Sequence, residues 1–154
     1  MVKLLNSLSV ITEYCNTEII VIDDGSTDTT NKKLKENKKL YHKLISLKKN
    51  KGKGKAVIEG LKLATSDYIV FQDADLEYSP HDLIFFIDKI KSNDADLIMG
   101  SRFIGNQRSV LHFWHMLGNK FITFLFNFLN NTTFTDIYCC YCLFRRDLIN
   151  PKDL

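Results

Sequence analysis

Three short apolar runs, each ending on polar residues, constrain this chain more than any other feature. Glu18–Ile22 (EIIVI) stops at Asp23-Asp24-Gly25-Ser26, Asp67–Phe71 (DYIVF) leads to Asp73-Ala74-Asp75, and Ala95–Met99 (ADLIM) stops at Gly100-Ser101-Arg102. Such short runs, the first two rich in Ile, Val and aromatic residues, predict buried strands. Segments of helical spacing separate them. This alternation predicts an α/β sandwich around a mostly parallel sheet. In such sheets ligands bind beyond the C-terminal ends of strands, so three polar strand ends predict one shared site.

The rest of the chain fits between these strands. Leu4, Leu5, Leu8 and Ile11 have helical spacing, and a Lys-rich helix capped by Ser26 or Asp28 runs toward Leu40. His42–Leu47 reads as a weak strand and Asn50–Gly54 as a glycine loop. Ala56–Ala64 returns to helical spacing, and Pro80 opens a helix carrying Leu83, Ile84, Phe86, Ile87 and Ile90. With 154 residues and no evident repeat or linker, residues 1–154 read as one domain. The net charge of +3 says little about partners, although Lys32–Lys55 makes one edge basic.

Cys139, Cys140 and Cys142 lie almost adjacent, a poor layout for a disulfide framework or a zinc site. Together with Cys15 they read as reduced thiols, and no stretch resembles a secretory signal, so a cytoplasmic setting is expected. Phe121–Leu129 (FITFLFNFL) falls short of the ~20 apolar residues that span a bilayer. It reads first as a core helix. The alternative is a helix lying in a membrane interface, with the contact running through 112–130.

Asp73, Asp75 and Glu77 alternate, so an extended chain points all three to one side. A few hard oxygen donors with room for water and phosphate suit Mg²⁺ or Mn²⁺ better than a calcium cage. A solvated, capped turn ahead of Pro80 fits the same residues. Asp23 and Asp24 could accept hydrogen bonds from a nucleobase or ribose, or could simply cap a turn. Asn50-Lys51-Gly52-Lys53-Gly54-Lys55 has neither Walker A nor dinucleotide spacing. Its amides and lysines could approach a diphosphate, or stay solvated. Arg102 at a strand end suits a phosphate, because its planar fork grips oxygens in pairs.

Taken in order, EIIVIDDGSTDTT, NKGKGKAVIEGLKLATSDYIVFQDADLEYSP, DADLIMGSRF, HMLGNKFITFLFNFLNNTTFTD and CLFRRDLI resemble the family 2 glycosyltransferases. The likeness is strongest to the dolichol-phosphate mannosyltransferase and polyprenyl-phosphate glycosyltransferase branch. It runs from about Glu18 to Ile149. The resemblance implies a GT-A fold, a nucleotide-diphosphate sugar of GDP-mannose or UDP-glucose type, and Mg²⁺ or Mn²⁺. It places the nucleotide sugar against Asp23, Asp24, Lys53, Asp73, Ala74, Asp75 and Arg102. It assigns the metal to Asp73, Asp75 and Glu77, and catalysis to Asp75, Arg102 and Asp136. A polyprenyl-phosphate acceptor is already an anion and needs positioning by Arg102, whereas a hydroxyl acceptor would need Asp136 as base. No nucleic acid is expected among the partners, and the expected place of work is the cytoplasm or the cytoplasmic membrane surface.

The chain also departs from the pattern it resembles. The usual first strand is missing, and the family's later strand and helix beyond Leu154 are absent, so a domain truncated at both ends is expected. Relatives often carry an acidic residue at the position of Tyr138 and a basic one at that of Cys142. A second expectation follows: a weak or inactive domain that binds a nucleotide sugar or a partner. A nucleotidyltransferase fits less well, because its Gly-rich, basic opening is not seen.

Overall fold

The computed structural model describes residues 1–75, 78–93, 95–101 and 113–151. Two short helices, α1 (Val2–Ser7) and α2 (Ser9–Tyr14), open the chain, as the spacing of Leu4, Leu5, Leu8 and Ile11 predicts. Then follow β1 (Ile20–Asp23), α3 (Thr30–Glu36), β2 (Lys43–Ser46) and α4 (Lys53–Leu63). Beyond them lie β3 (Tyr68–Val70), α5 (Asp82–Asn93), β4 (Leu97–Met99), α6 (Phe113–Asn130) and β5 (Cys142–Arg145).

β1 and β2 pair in parallel, with Ile20 opposite Lys43 and Asp23 opposite Ser46. That pairing is what a strand–helix–strand unit dictates. The second sheet has the order β3-β5-β4. The sequence reading did not anticipate β5, which lies between β3 and β4 and runs antiparallel to both. Tyr68 faces Arg145, and Met99 faces Cys142. β3 and β4 therefore point the same way, and their C-terminal ends, at Val70 and Met99, open on one edge.

Two apolar clusters hold the elements together. Leu5, Val21 and Leu34 form one, with Leu44 and Tyr41 packed against it. Ile11, Leu83, Cys139 and Tyr141 form the other, with Val70, Tyr78, Phe86 and Ile87 around them. Leu8 touches both clusters, so the helical entry joins the two halves. Burying each such side chain contributes roughly 1.5–3 kcal/mol. Tyr141 stacks on Tyr78 with ring centroids 4.7 Å apart and donates its hydroxyl to the Ser79 carbonyl at 3.0 Å. Burial, assisted by the charge of Asp82, pushes the Tyr141 phenol well above its ordinary range.

α6 is not the core helix that its composition predicts. Phe121, Phe124 and Phe128 are 60%, 63% and 76% exposed, while Thr123 is buried. The inward stripe is polar instead. Asn119 accepts from the Thr123 hydroxyl and donates to Asp136. Asn127 donates to the Phe134 carbonyl and accepts from the Phe134 amide and the Thr132 hydroxyl. Spacing of four residues puts Asn119, Thr123 and Asn127 on one face, and buried polar groups on the facing loop need those partners. Among the described residues no helix is long and apolar enough to cross a membrane.

Candidate functional site

The polar ends of β1 and β3 meet through the glycine loop. Asp23, the last residue of β1, is 4% exposed. One carboxylate oxygen accepts from the Ser26 amide at 3.0 Å, and the other from Asn31 Nδ2 at 3.0 Å. Asn31 also reaches Ser46 Oγ at the end of β2. Burial on its own would raise the Asp23 carboxyl, but the hydrogen bonds from Ser26 and Asn31 outweigh it and hold the group below its usual range. Asp23 therefore works first as the clamp of its own turn.

Asp24 faces the other way. Its two oxygens accept the amides of Lys51 and Gly52, both at 2.8 Å, and so hold the glycine loop from below. Two glycines make this possible. Gly25 has φ +72°, and a Cβ there would lie 2.6 Å from the Lys49 carbonyl carbon. Gly52 has φ +84° and starts α4 from a left-handed turn.

The loop delivers Lys53 to the end of β3. Its Nζ lies 2.5 Å from Asp73 Oδ2. The two side chains are 52% and 36% exposed, and a pair open to water to this degree contributes only about 0–1 kcal/mol. Burial would lower the Lys53 ammonium, but the hydrogen bond and charge of Asp73, joined by the charge of Asp75, raise it. Ala74 and Asp75 lie exposed on the turn. Gln72, which the sequence reading passed over, steadies that turn by donating its amide to the carbonyls of Asp73 and Tyr78 at 3.3 and 3.2 Å. Asp23, Asp24, Lys53, Asp73, Ala74 and Asp75 are thus gathered along one edge. Glu77 and Arg102, also expected here, lie outside the described residues, as does His112.

Asp136 occupies another wall, beside a cavity of about 230 Å³ that it lines with Met99, Gly100, Thr133, Phe134 and Thr135. It is 2% exposed, and its Oδ1 accepts Asn119 Nδ2 and the Tyr138 amide, each at 3.1 Å. Asn119 was missed in sequence because, beside Gly118 and Lys120 and ahead of the apolar run Phe121–Leu129, it reads as a solvated position. Its spacing with Thr123 and Asn127 was the available signal. Of the three neighbouring cysteines, Cys139 is buried and Cys140 exposed, and all four cysteines are free thiols. Burial pushes the Cys142 thiol up. Arg145 and Arg146 stand at the opposite end of β3, bound to Asp96 and Asp147 and to the Ser66 carbonyl, away from this edge.

Comparisons with known proteins bear on the family and the fold. The profile described as Glycosyl transferase family 2 matches residues 1–150. A dolichol-phosphate mannosyltransferase of Pyrococcus furiosus is 42% identical over 90 residues, which is 58% of this chain and 25% of that protein. The glycosyltransferase GlyA of Streptococcus pneumoniae serotype 4 is 29% identical over 133 residues, 84% of this chain and 19% of its own. Among solved structures, S. aureus TarS 1-349 superposes with a TM-score of 0.60 at 19% identity. That overlap takes in 98% of this chain and 45% of the TarS chain, so the shared property is the fold. The chain thus spans a quarter or less of these curated relatives.

Proposed function

Starting from the fact that the chain belongs to glycosyl transferase family 2, we propose that it moves a sugar from a nucleotide-diphosphate donor to a polyprenyl phosphate. The donor is of GDP-mannose or UDP-glucose type, and the acceptor attacks with inversion at the cytoplasmic membrane surface. One observation carries the reading: Asp24 holds the glycine loop so that Lys53 meets Asp73 beside Asp75 at the end of β3. Such an edge suits a diphosphate, because it sets an ammonium beside carboxylates that can share a cation.

The residues suit Mg²⁺ or Mn²⁺. Among the described residues no three His, Cys, Asp or Glu side chains form a closed metal cage. These ions do not need one, since one or two carboxylates plus substrate phosphates complete their octahedron. Asp73 and Asp75 would hold the ion, with Glu77 as a further ligand and Arg102 as a phosphate contact, both assigned by sequence alone. Such an ion supplies charge neutralisation for the departing diphosphate. Asp24 fixes the loop, and Lys53 offers its ammonium to the same phosphates. An acceptor phosphate is ionised near pH 7 and requires no base. A hydroxyl acceptor would draw on Asp136, whose carboxylate Asn119 and the Tyr138 amide orient.

A second reading, nucleotide-sugar binding without turnover, rests on Tyr138 and the half-buried thiol of Cys142, where the resemblance expects an acid and a base. Calorimetric titration of GDP-mannose and UDP-glucose with and without Mn²⁺ tests binding, and transfer to polyprenyl phosphate in vesicles tests turnover. The expected result is weak binding in EDTA that Mn²⁺ strengthens and that Asp24→Ala weakens by about tenfold, with turnover abolished by Asp75→Ala. Binding without turnover selects the second reading. Metal-independent binding insensitive to Asp24→Ala moves the site elsewhere.

A further inference from the structure

We propose that Lys53 is an exchangeable counter-ion, held on Asp73 while the donor is absent and transferred to the donor diphosphate when it arrives. The inference rests on the donor reading above and adds a coupling that reading does not require. Three features of the site support it. The glycine loop is pinned at Lys51 and Gly52 by Asp24, so the backbone of Lys53 is fixed where α4 begins. Its ammonium, by contrast, rides on a flexible four-carbon stem and stays half exposed. The bond it makes, 2.5 Å to Asp73 Oδ2, occupies an oxygen that a divalent cation would need.

An ion pair this open to solvent is weak, and a diphosphate carries more negative charge than one carboxylate. Exchange therefore runs toward the phosphates, and it would leave the Asp73 carboxylate open to hold a cation once the donor is bound. Before that moment the ammonium repels a free cation from the same oxygens. The chain thus couples two events: diphosphate binding opens the Asp73 carboxylate, and, by thermodynamic reciprocity, loading that carboxylate frees Lys53 for the diphosphate.

The test is a double-mutant cycle of wild type, K53M, D73N and K53M/D73N, titrated calorimetrically with GDP and with UDP in EDTA. The exchange predicts that D73N binds nucleotide up to about fivefold more tightly than wild type, because Lys53 no longer has to leave a partner. It also predicts that this gain vanishes in the K53M background. In a second arm, free Mn²⁺ followed by electron paramagnetic resonance binds K53M about tenfold more tightly than wild type, while K53R stays at the wild-type level. Gains from D73N that persist undiminished in K53M would show simple repulsion between Asp73 and phosphate, and would overturn the exchange while leaving the donor reading intact. Equal Mn²⁺ affinity in wild type and K53M overturns it as well. Failure of all four proteins to bind either nucleotide, with or without Mn²⁺, removes the donor reading and the exchange together.

Discussion

Asp23 and Asp24 stand side by side in the chain and do opposite work. Asp23 is buried and spends both oxygens on its own turn and on Asn31, whereas Asp24 reaches across to another loop. Asp23→Asn is expected to lower stability by about 1–3 kcal/mol in urea unfolding, the cost of weakening hydrogen bonds to a buried charge. The sign of the pH dependence follows from the depressed Asp23 carboxyl. Its contribution is complete above the ordinary carboxylate value of about 3.9 and is lost as pH falls through the lower folded value. The gap in melting temperature between wild type and Asp23→Asn should therefore be widest near neutrality and close below about pH 4. A gap independent of pH would mean that Asp23 is not ionised in the folded protein. The pair DD was legible in the sequence as site chemistry. Which of the two is the clamp was not, because that depends on Asn31 and on the glycine loop folding against them.

At the scale of the element, α6 reverses the usual relation between composition and burial. Its apolar residues face outward, and its asparagines grip the loop that carries Asp136. Asn119→Leu makes the helix more apolar, yet it should destabilise the protein by about 1–3 kcal/mol, since the Asp136 carboxylate loses a donor inside the fold. Chemical denaturation of that variant reads the effect directly. The outward face makes a separate prediction. Phe121→Glu with Phe128→Glu should leave the melting temperature within a few degrees of wild type, because both side chains are mostly exposed. The same pair should abolish sedimentation with phosphatidylglycerol vesicles, which the wild type is expected to show. Undiminished vesicle binding would end the membrane assignment for α6. A concentration-dependent dimer lost in the double variant would give the face to a second copy instead. Periodicity shows that a helix is present, but the face it buries depends on what lies opposite.

On the scale of the whole molecule, two clusters share Leu8, and the strand ends they support converge on one edge. Leu34, fully buried in the first cluster, also accepts the Tyr41 hydroxyl at its carbonyl. Leu34→Ala should cost about 2–5 kcal/mol, read as a lower urea midpoint with an unchanged slope. A loss below about 1 kcal/mol would show that the cluster relaxes around the hole. The sequence by itself determined the strands β1, β3 and β4, the helices between them and the strand ends that carry Asp23, Asp24, Asp73 and Asp75. Those depend on short-range patterns of apolar and polar residues, and glycines mark the turns. Tertiary structure alone decided three things: that Cys142–Arg145 enters between β3 and β4, that α6 turns its asparagines inward, and that Lys53 crosses to Asp73. Each of these depends on partners distant in the chain. A strand's neighbours, a helix's inner face and an ammonium's counter-ion are set by which groups packing brings within reach, and no local pattern encodes that.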